Sequence, residues 1–207
     1  MPRKYLVLLA LTLPLVLLDQ WTKYVVLREL TTAFDGAPTF AARLGVMMSE
    51  APAPGFDGLH YRYKRSVTVS ESFFRFRYAE NPGAAWGLFR NLPDHLRGPL
   101  FHVVSIGAVI LISYYFRKLS GTKREERWAL WGLPLVLAGA VGNYIDRLAR
   151  GFVIDFLEAH WFDKAAWPSF NIADAAICVG VGMLVLDGFV RKEKKEAPSA
   201  LSDQKAA

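Results

Sequence analysis

The sequence predicts an α-helical integral membrane protein with four transmembrane helices and a small extracytoplasmic β-sheet between the first and second. Of its 207 residues 53% are hydrophobic, and the mean hydropathy is +0.19, beyond that of an ordinary soluble chain. The apolar residues gather in four blocks, at about 5–26, 99–116, 128–148 and 171–190. Each holds roughly 17 to 25 residues, which at about 1.5 Å per residue crosses a hydrocarbon core of about 30 Å. A soluble helical core would show polar stripes, and segments 103–112 and 176–186 have almost none.

The lysines and arginines orient these blocks. Arg3 and Lys4 precede the first, Arg117, Lys118, Lys123, Arg124 and Arg127 fill the short loop between the second and third, and Arg191, Lys192, Lys194 and Lys195 follow the fourth. All three clusters fall on one side, which the positive-inside rule makes cytoplasmic, so both termini are expected there. The net charge of +6 then reflects topology, and no folded basic module points to nucleic acid.

Taken in order, the first block resembles a signal peptide in its basic start. No small-x-small cleavage site follows Leu18, where Asp19-Gln20-Trp21-Thr22-Lys23 stands instead, so it is expected to be a retained helix. The loop 28–98 divides in two. Residues 31–58 are rich in Ala, Pro and Gly and show no period, whereas 66–70 and 73–78 mix β-branched and aromatic residues with partial alternation, predicting a hairpin or small sheet on the membrane surface. Within it Phe73, Phe74, Phe76 and Trp86 suit either the lipid headgroup level or the core of the sheet, and Arg75 and Arg77 suit headgroup phosphates. Trp128 and Trp131 at the inner boundary, and Trp161 and Trp167 at the outer, fit an aromatic belt. Residues 1–190 read as one membrane-embedded domain, and 191–207 as a disordered cytosolic tail too poor in large apolar groups to fold alone.

The polar residues of the apolar blocks converge at one depth. Asp19 lies about 21 Å beyond Tyr5 and Asn143 about 22 Å beyond Trp128, both rising from inside, while Asn171 opens the fourth helix from outside. Asp19 and Lys23 share a helix face, either as a structural ion pair or as a holder of substrate. Asn143 shares a face with Asp146 and Arg147, and the latter two read most simply as an ion pair anchoring the helix end. Gly139 and Gly142 permit close helix approach. Asn171 suits an N-cap, with Asp174 at the third helical position. Asp155 stands among Val153, Ile154, Phe156 and Leu157, surroundings that disfavour its charged form.

Two carboxyls at one depth without an adjacent cation predict a coupled pair sharing a proton. One activates water as base and the other polarises a carbonyl as acid, with Asp174 the member more often ionised and Asp155 the protonated one. Cys178, alone in the fourth helix, reads as a small buried hydrophobe, which excludes cysteine-protease chemistry; no Cys/His cluster suits zinc. A proton-coupled membrane carrier is the alternative, but it predicts ionisable residues spread through the bilayer and a repeat. His102 is the one mid-helix candidate for that and reads as a satisfied structural group.

Together the motifs Asp19-Gln20-x-Thr22-Lys23, Asn81-Pro82-Gly83-Ala84-Ala85-Trp86, Gly142-Asn143-x-x-Asp146-Arg147 with Val153-Ile154-Asp155-Phe156, and Phe170-Asn171-Ile172-Ala173-Asp174 resemble the ordered set of the lipoprotein signal peptidase (signal peptidase II) family. The resemblance spans nearly the whole membrane part. It implies a multi-pass aspartic endopeptidase of the bacterial cytoplasmic (inner) membrane, with its site at the extracytoplasmic face. Such an enzyme removes the signal peptide of a diacylglyceryl-modified prolipoprotein just before the lipidated cysteine. It further implies that Asp155 and Asp174 form the catalytic dyad and that Asp19, Lys23, Asn81, Gly83, Asn143, Asp146, Arg147 and Asn171 bind substrate or support the dyad. The implied partners are the lipid-modified substrate and membrane phospholipid, with a monomeric chain and no metal or organic cofactor. The segment 31–63 is longer than members of that family usually carry.

Overall fold

A computed structural model of the chain describes residues 2–55, 58–83, 88–89 and 92–196, with the backbone alone at 94 and 191–196. Among the described residues four helices are long and apolar enough to cross a membrane: α1 (Arg3–Leu30), α3 (Asp94–Lys118), α4 (Arg127–Arg150) and α5 (Ile172–Glu196). A short α2 (Phe40–Met47) follows α1. The strands β1 (Val67–Ser70), β2 (Phe74–Asn81), β3 (Val153–Trp161) and β4 (Ala165–Ala166) form an antiparallel sheet in chain order.

The four spans run a few residues past the apolar blocks because polar side chains at their ends close the backbone. On the basic side, the Lys4 ammonium donates to the Arg117 and Leu119 carbonyls at 2.8 and 2.5 Å, occupying acceptors left open where α3 ends. Asp187 of α5 accepts the Ala129 N–H at 3.2 Å in the first turn of α4. At its other end α4 stops at Gly151, whose φ of 80° is the left-handed conformation that closes a helix and turns the chain into β3.

The strand β3 is the main element that reading the sequence missed. Residues 153–160 are nearly all buried, so apolar side chains occupy both faces and the alternation of a half-exposed strand is absent. It lies between β2, with Ala79 opposite Asp155, and the segment leading into α5, where Phe170 and Leu157 exchange backbone bonds of 3.0 and 2.8 Å. The stretch 31–58, without a period in the sequence, holds α2, begun by Thr39 accepting the Ala42 N–H.

Several side chains stand elsewhere than expected. Cys178 is exposed on α5, on the surface a lipid phase would cover. His102 is not a satisfied group: its Nδ1 is buried with no hydrogen-bond partner among the described residues, and its ring meets Tyr144 edge-on. Phe76 packs with Phe156 in the apolar core while Phe73 is exposed, so the two readings of the sheet aromatics divide between residues. Arg75 and Arg77 pair with Glu158, and Arg75 also with Asp163, rather than standing free for phosphate. Trp131, Trp161 and Trp167 are exposed. The helix α5 continues through the first six residues of the expected tail, and Trp86 and 197–207 lie outside the described residues.

Close approach of α4 and α5 rests on glycine. A Cβ added at Gly139 would stand 2.2 Å from the Ala173 carbonyl oxygen and 2.5 Å from Ile177 Cγ1, whereas at Gly107 on α3 it would meet nothing within 4 Å. Gly139→Ala is therefore expected to force the helices apart at a cost of about 1–3 kcal/mol. Gly107→Ala is expected to be neutral or slightly stabilising. Thermal unfolding of the two variants in detergent checks this.

Candidate active site

The site is built where α1, α4 and α5 meet the inner edge of the sheet. At its base lies Lys23, fully buried, whose ammonium reaches Asp19 Oδ2 at 2.8 Å, Asp146 Oδ2 at 2.9 Å and Asn143 Oδ1 at 3.3 Å. Its three N–H donors are thereby used. Asp146 also accepts from Arg150 at 2.5 Å and from Gln20 Nε2 at 3.1 Å, so Lys23 and Arg150 balance Asp19 and Asp146 within one buried neutral cluster. Charges taken out of water are tolerable when paired and hydrogen-bonded in this way. Gly142 makes the crossing possible, since a Cβ there would stand 2.6 Å from Asp19 Oδ2.

Each aspartate of the cluster also grips a backbone amide. Asp19 Oδ1 accepts the Ala173 N–H at 3.0 Å, an otherwise open donor at the start of α5. Asp146 Oδ2 accepts the Ile154 N–H at 3.0 Å, at the start of β3. Asp174 follows one residue after the first of these amides and Asp155 one after the second. The expected Asp146–Arg147 pair is not formed: Asp146 turns into the cluster, and Arg147 instead donates to the Gly83 carbonyl at 3.0 Å and lies 4.6 Å from the Phe101 ring centroid.

Above the cluster two asparagines bridge the remaining carboxyls. Asn171 Nδ2 donates to Asp155 Oδ1 at 2.7 Å and lies 3.1 Å from Asn143 Oδ1, while Asn143 Nδ2 donates to Asp174 Oδ1 at 2.8 Å. Asn171 and Asp174 also cap α5 reciprocally, the Asp174 N–H donating to Asn171 Oδ1 at 2.9 Å and the Asn171 N–H to Asp174 Oδ2 at 3.2 Å. The cap and the bridge are thus one structure. From β2, Asn81 Nδ2 donates to Asp155 Oδ2 at 3.1 Å and Asn81 Oδ1 accepts the Gly83 N–H at 3.0 Å.

All ten residues singled out in the sequence belong to this one network. It also includes Gln20 and Arg150, which the sequence reading left out; the four-residue spacing of Asp146 and Arg150 on one helix face was the available signal. Burial, and next the charge of Asp174, push the Asp155 carboxyl up to about 7. The Asn81 and Asn171 hydrogen bonds act against that rise.

The profile of the family described as "Signal peptidase (SPase) II" matches residues 11–190. The chain belongs to the signal peptidase II family. A lipoprotein signal peptidase from Anaeromyxobacter sp. (strain Fw109-5) is 43% identical over 209 residues, covering 99% of this chain and 95% of that protein. Another, from Geobacter sulfurreducens (strain ATCC 51573 / DSM 12127 / PCA), is 40% identical over 134 residues, covering 65% of this chain and 79% of that one. A bacterial membrane enzyme solved by the in meso method at 2.3 Å resolution has the same fold, with a TM-score of 0.62 at 24% identity over 93% of this chain and 92% of its own. The chain is accordingly an aspartic peptidase of the membrane, and the carrier reading falls.

Removing Lys23 would leave Asp19 and Asp146 facing each other without their shared cation. Lys23→Met is expected to destabilise the fold by about 3–5 kcal/mol, and adding Asp19→Asn to recover part of that loss by removing one uncompensated charge. Denaturation of the single and double variants checks both.

Proposed function

We propose that Asp155 and Asp174 are the catalytic dyad with which this signal peptidase removes the signal peptide of a diacylglyceryl-modified prolipoprotein, cutting just before the lipidated cysteine. The observation that carries the assignment is the asparagine bridge: Asn171 and Asn143 each donate to one oxygen of a carboxyl, and among the described residues no lysine or arginine bonds to either. Each remaining oxygen accepts one further hydrogen bond, Asp155 Oδ2 from Asn81 and Asp174 Oδ2 from the Asn171 N–H, and keeps a lone pair for water or a scissile carbonyl.

Asp174 is the base. It stands in the first turn of α5, where it accepts from the Asn143 amide and from the Asn171 N–H. Asp155 is the acid: burial and the Asp174 charge raise its carboxyl to about 7, so it keeps its proton below that pH. A water oxygen bonds to the scissile carbonyl carbon as its proton passes to Asp174, and the Asp155 proton passes to the carbonyl oxygen. Asp174 then returns its proton to the leaving amide nitrogen as the carbon–nitrogen bond breaks, and Asp155 regains its own from the collapsing diol. The step draws on two carboxyls and one water.

Asn81 and Gly83, tied to Asp155 and Arg147, form the edge along which the peptide backbone lies. The basic clusters at one end of the spans set both termini in the cytoplasm and the dyad at the outer face of the inner membrane, against phospholipid. One chain supplies both carboxyls and the asparagines that hold them, which supports a monomeric enzyme.

Asp155→Asn and Asp174→Asn are each expected to lower cleavage of a lipidated prolipoprotein by roughly 10³-fold or more with normal membrane insertion; full cleavage by either would defeat the assignment. Because activity needs Asp155 protonated, kcat/KM is expected to fall as pH rises through about 7. The Asn81 hydrogen bond favours the ionised form, so Asn81→Ala is expected to move that alkaline limb to higher pH, measured as a pH profile on the same substrate.

A further inference from the structure

The segment between Leu30 and β1 carries α2, which contributes no side chain to the dyad and meets the supporting cluster through the Met47 carbonyl. Its sequence, Phe-Ala-Ala-Arg-Leu-Gly-Val-Met, has no acidic residue, and its one charge, Arg43, is turned back to donate to the Ala37 carbonyl at 2.9 Å. The helix is fixed in rotation by two contacts. Met47 is 3% exposed and its carbonyl accepts from Arg150, and the Phe40 ring meets Tyr24 of α1 edge-on at 5.6 Å. With Met47 inward, Phe40, Leu44 and Met48 share the outer edge by their four-residue spacing and are 55%, 39% and 56% exposed.

That apolar edge joins another. Tyr24 stacks on Trp21 at 5.4 Å, and Trp21, with Leu13 and Leu17, is exposed along the side of α1 that a lipid phase covers. Tyr24 lies about 30 Å along α1 from Lys4, one hydrocarbon thickness away, where an aromatic belt belongs. The stripe on α2 therefore continues the lipid-facing surface of α1 at the height of the outer headgroups. An exposed apolar edge without acidic residues, lying at this height, has the character of an interfacial helix.

We propose that α2 is seated in the outer leaflet beside α1, with Phe40, Leu44 and Met48 inserted among the acyl chains just below the headgroups. Through Met47 and Arg150 this lipid-seated helix is tied to Asp146, and thence to the strand that carries Asp155. The proposal rests on the reading that α1 spans the bilayer with residue 24 at its outer boundary.

Spin labels test it, placed singly at Phe40→Cys, Leu44→Cys, Met48→Cys, Glu50→Cys and Leu111→Cys in a Cys178→Ala chain in phosphatidylethanolamine–phosphatidylglycerol vesicles. Leu111, exposed in the middle of α3, reports on the spans. The expected result is that labels at 40, 44 and 48 relax faster with oxygen than with a water-soluble nickel chelate, as at 111, while the label at 50 shows the reverse. Labels at 40, 44 and 48 that follow 50 while 111 stays in lipid would overturn the seating of α2. A label at 111 that responds to the chelate would overturn the spanning arrangement and the seating with it.

Discussion

Everything in the catalytic region depends on one ammonium group withdrawn from water. Lys23 has no solvent exposure, and it is held there by carboxylates from two helices, Asp19 of its own and Asp146 of α4. A lone lysine at that depth would be prohibitively costly, and so would two carboxylates without it. Assembled, the three make a joint that exists only when α1 and α4 are in register. Gly142 is the steric condition for that register, because any larger residue would occupy the space of the Asp19 carboxylate.

The joint carries its effect to the dyad through backbone amides. Asp19 holds the amide before Asp174, and Asp146 holds the amide before Asp155. Each side chain of the dyad thus sits on an element whose first turn or second strand residue donates its amide to a charged group, a stronger bond than an ordinary hydrogen bond. The asparagines then set the carboxyl groups themselves. This division explains why so many polar residues cluster at one depth: four charges place the backbone, two amides orient the carboxyls, and two carboxyls remain for chemistry.

The sequence made the spans and the depth of the polar residues legible, because long apolar blocks and residue rise are one-dimensional properties. The capping relation of Asn171 to Asp174 was likewise local and readable. Partner choice was not. Asp146 and Arg147 are neighbours in sequence yet point to different places, since consecutive residues on a helix diverge by about 100°, and the true partners Lys23 and Arg150 lie on another helix and one turn on. Strand β3 was hidden because it is buried on both faces, which removes the alternation that marks a strand. The helix α2 escaped notice because eight residues among Ala, Pro and Gly offer barely two turns of pattern.

If the Lys23 joint places the dyad through the amides of Ala173 and Ile154, amide hydrogen exchange at those two positions measures it most directly. Compared with the parent chain in micelles, Lys23→Met is predicted to speed exchange at both by about 10- to 100-fold, the cost of weakening a hydrogen bond to a charged acceptor, with amides in the middle of α3 unchanged. Unaltered exchange at Ala173 and Ile154 in a folded Lys23→Met protein would contradict the account.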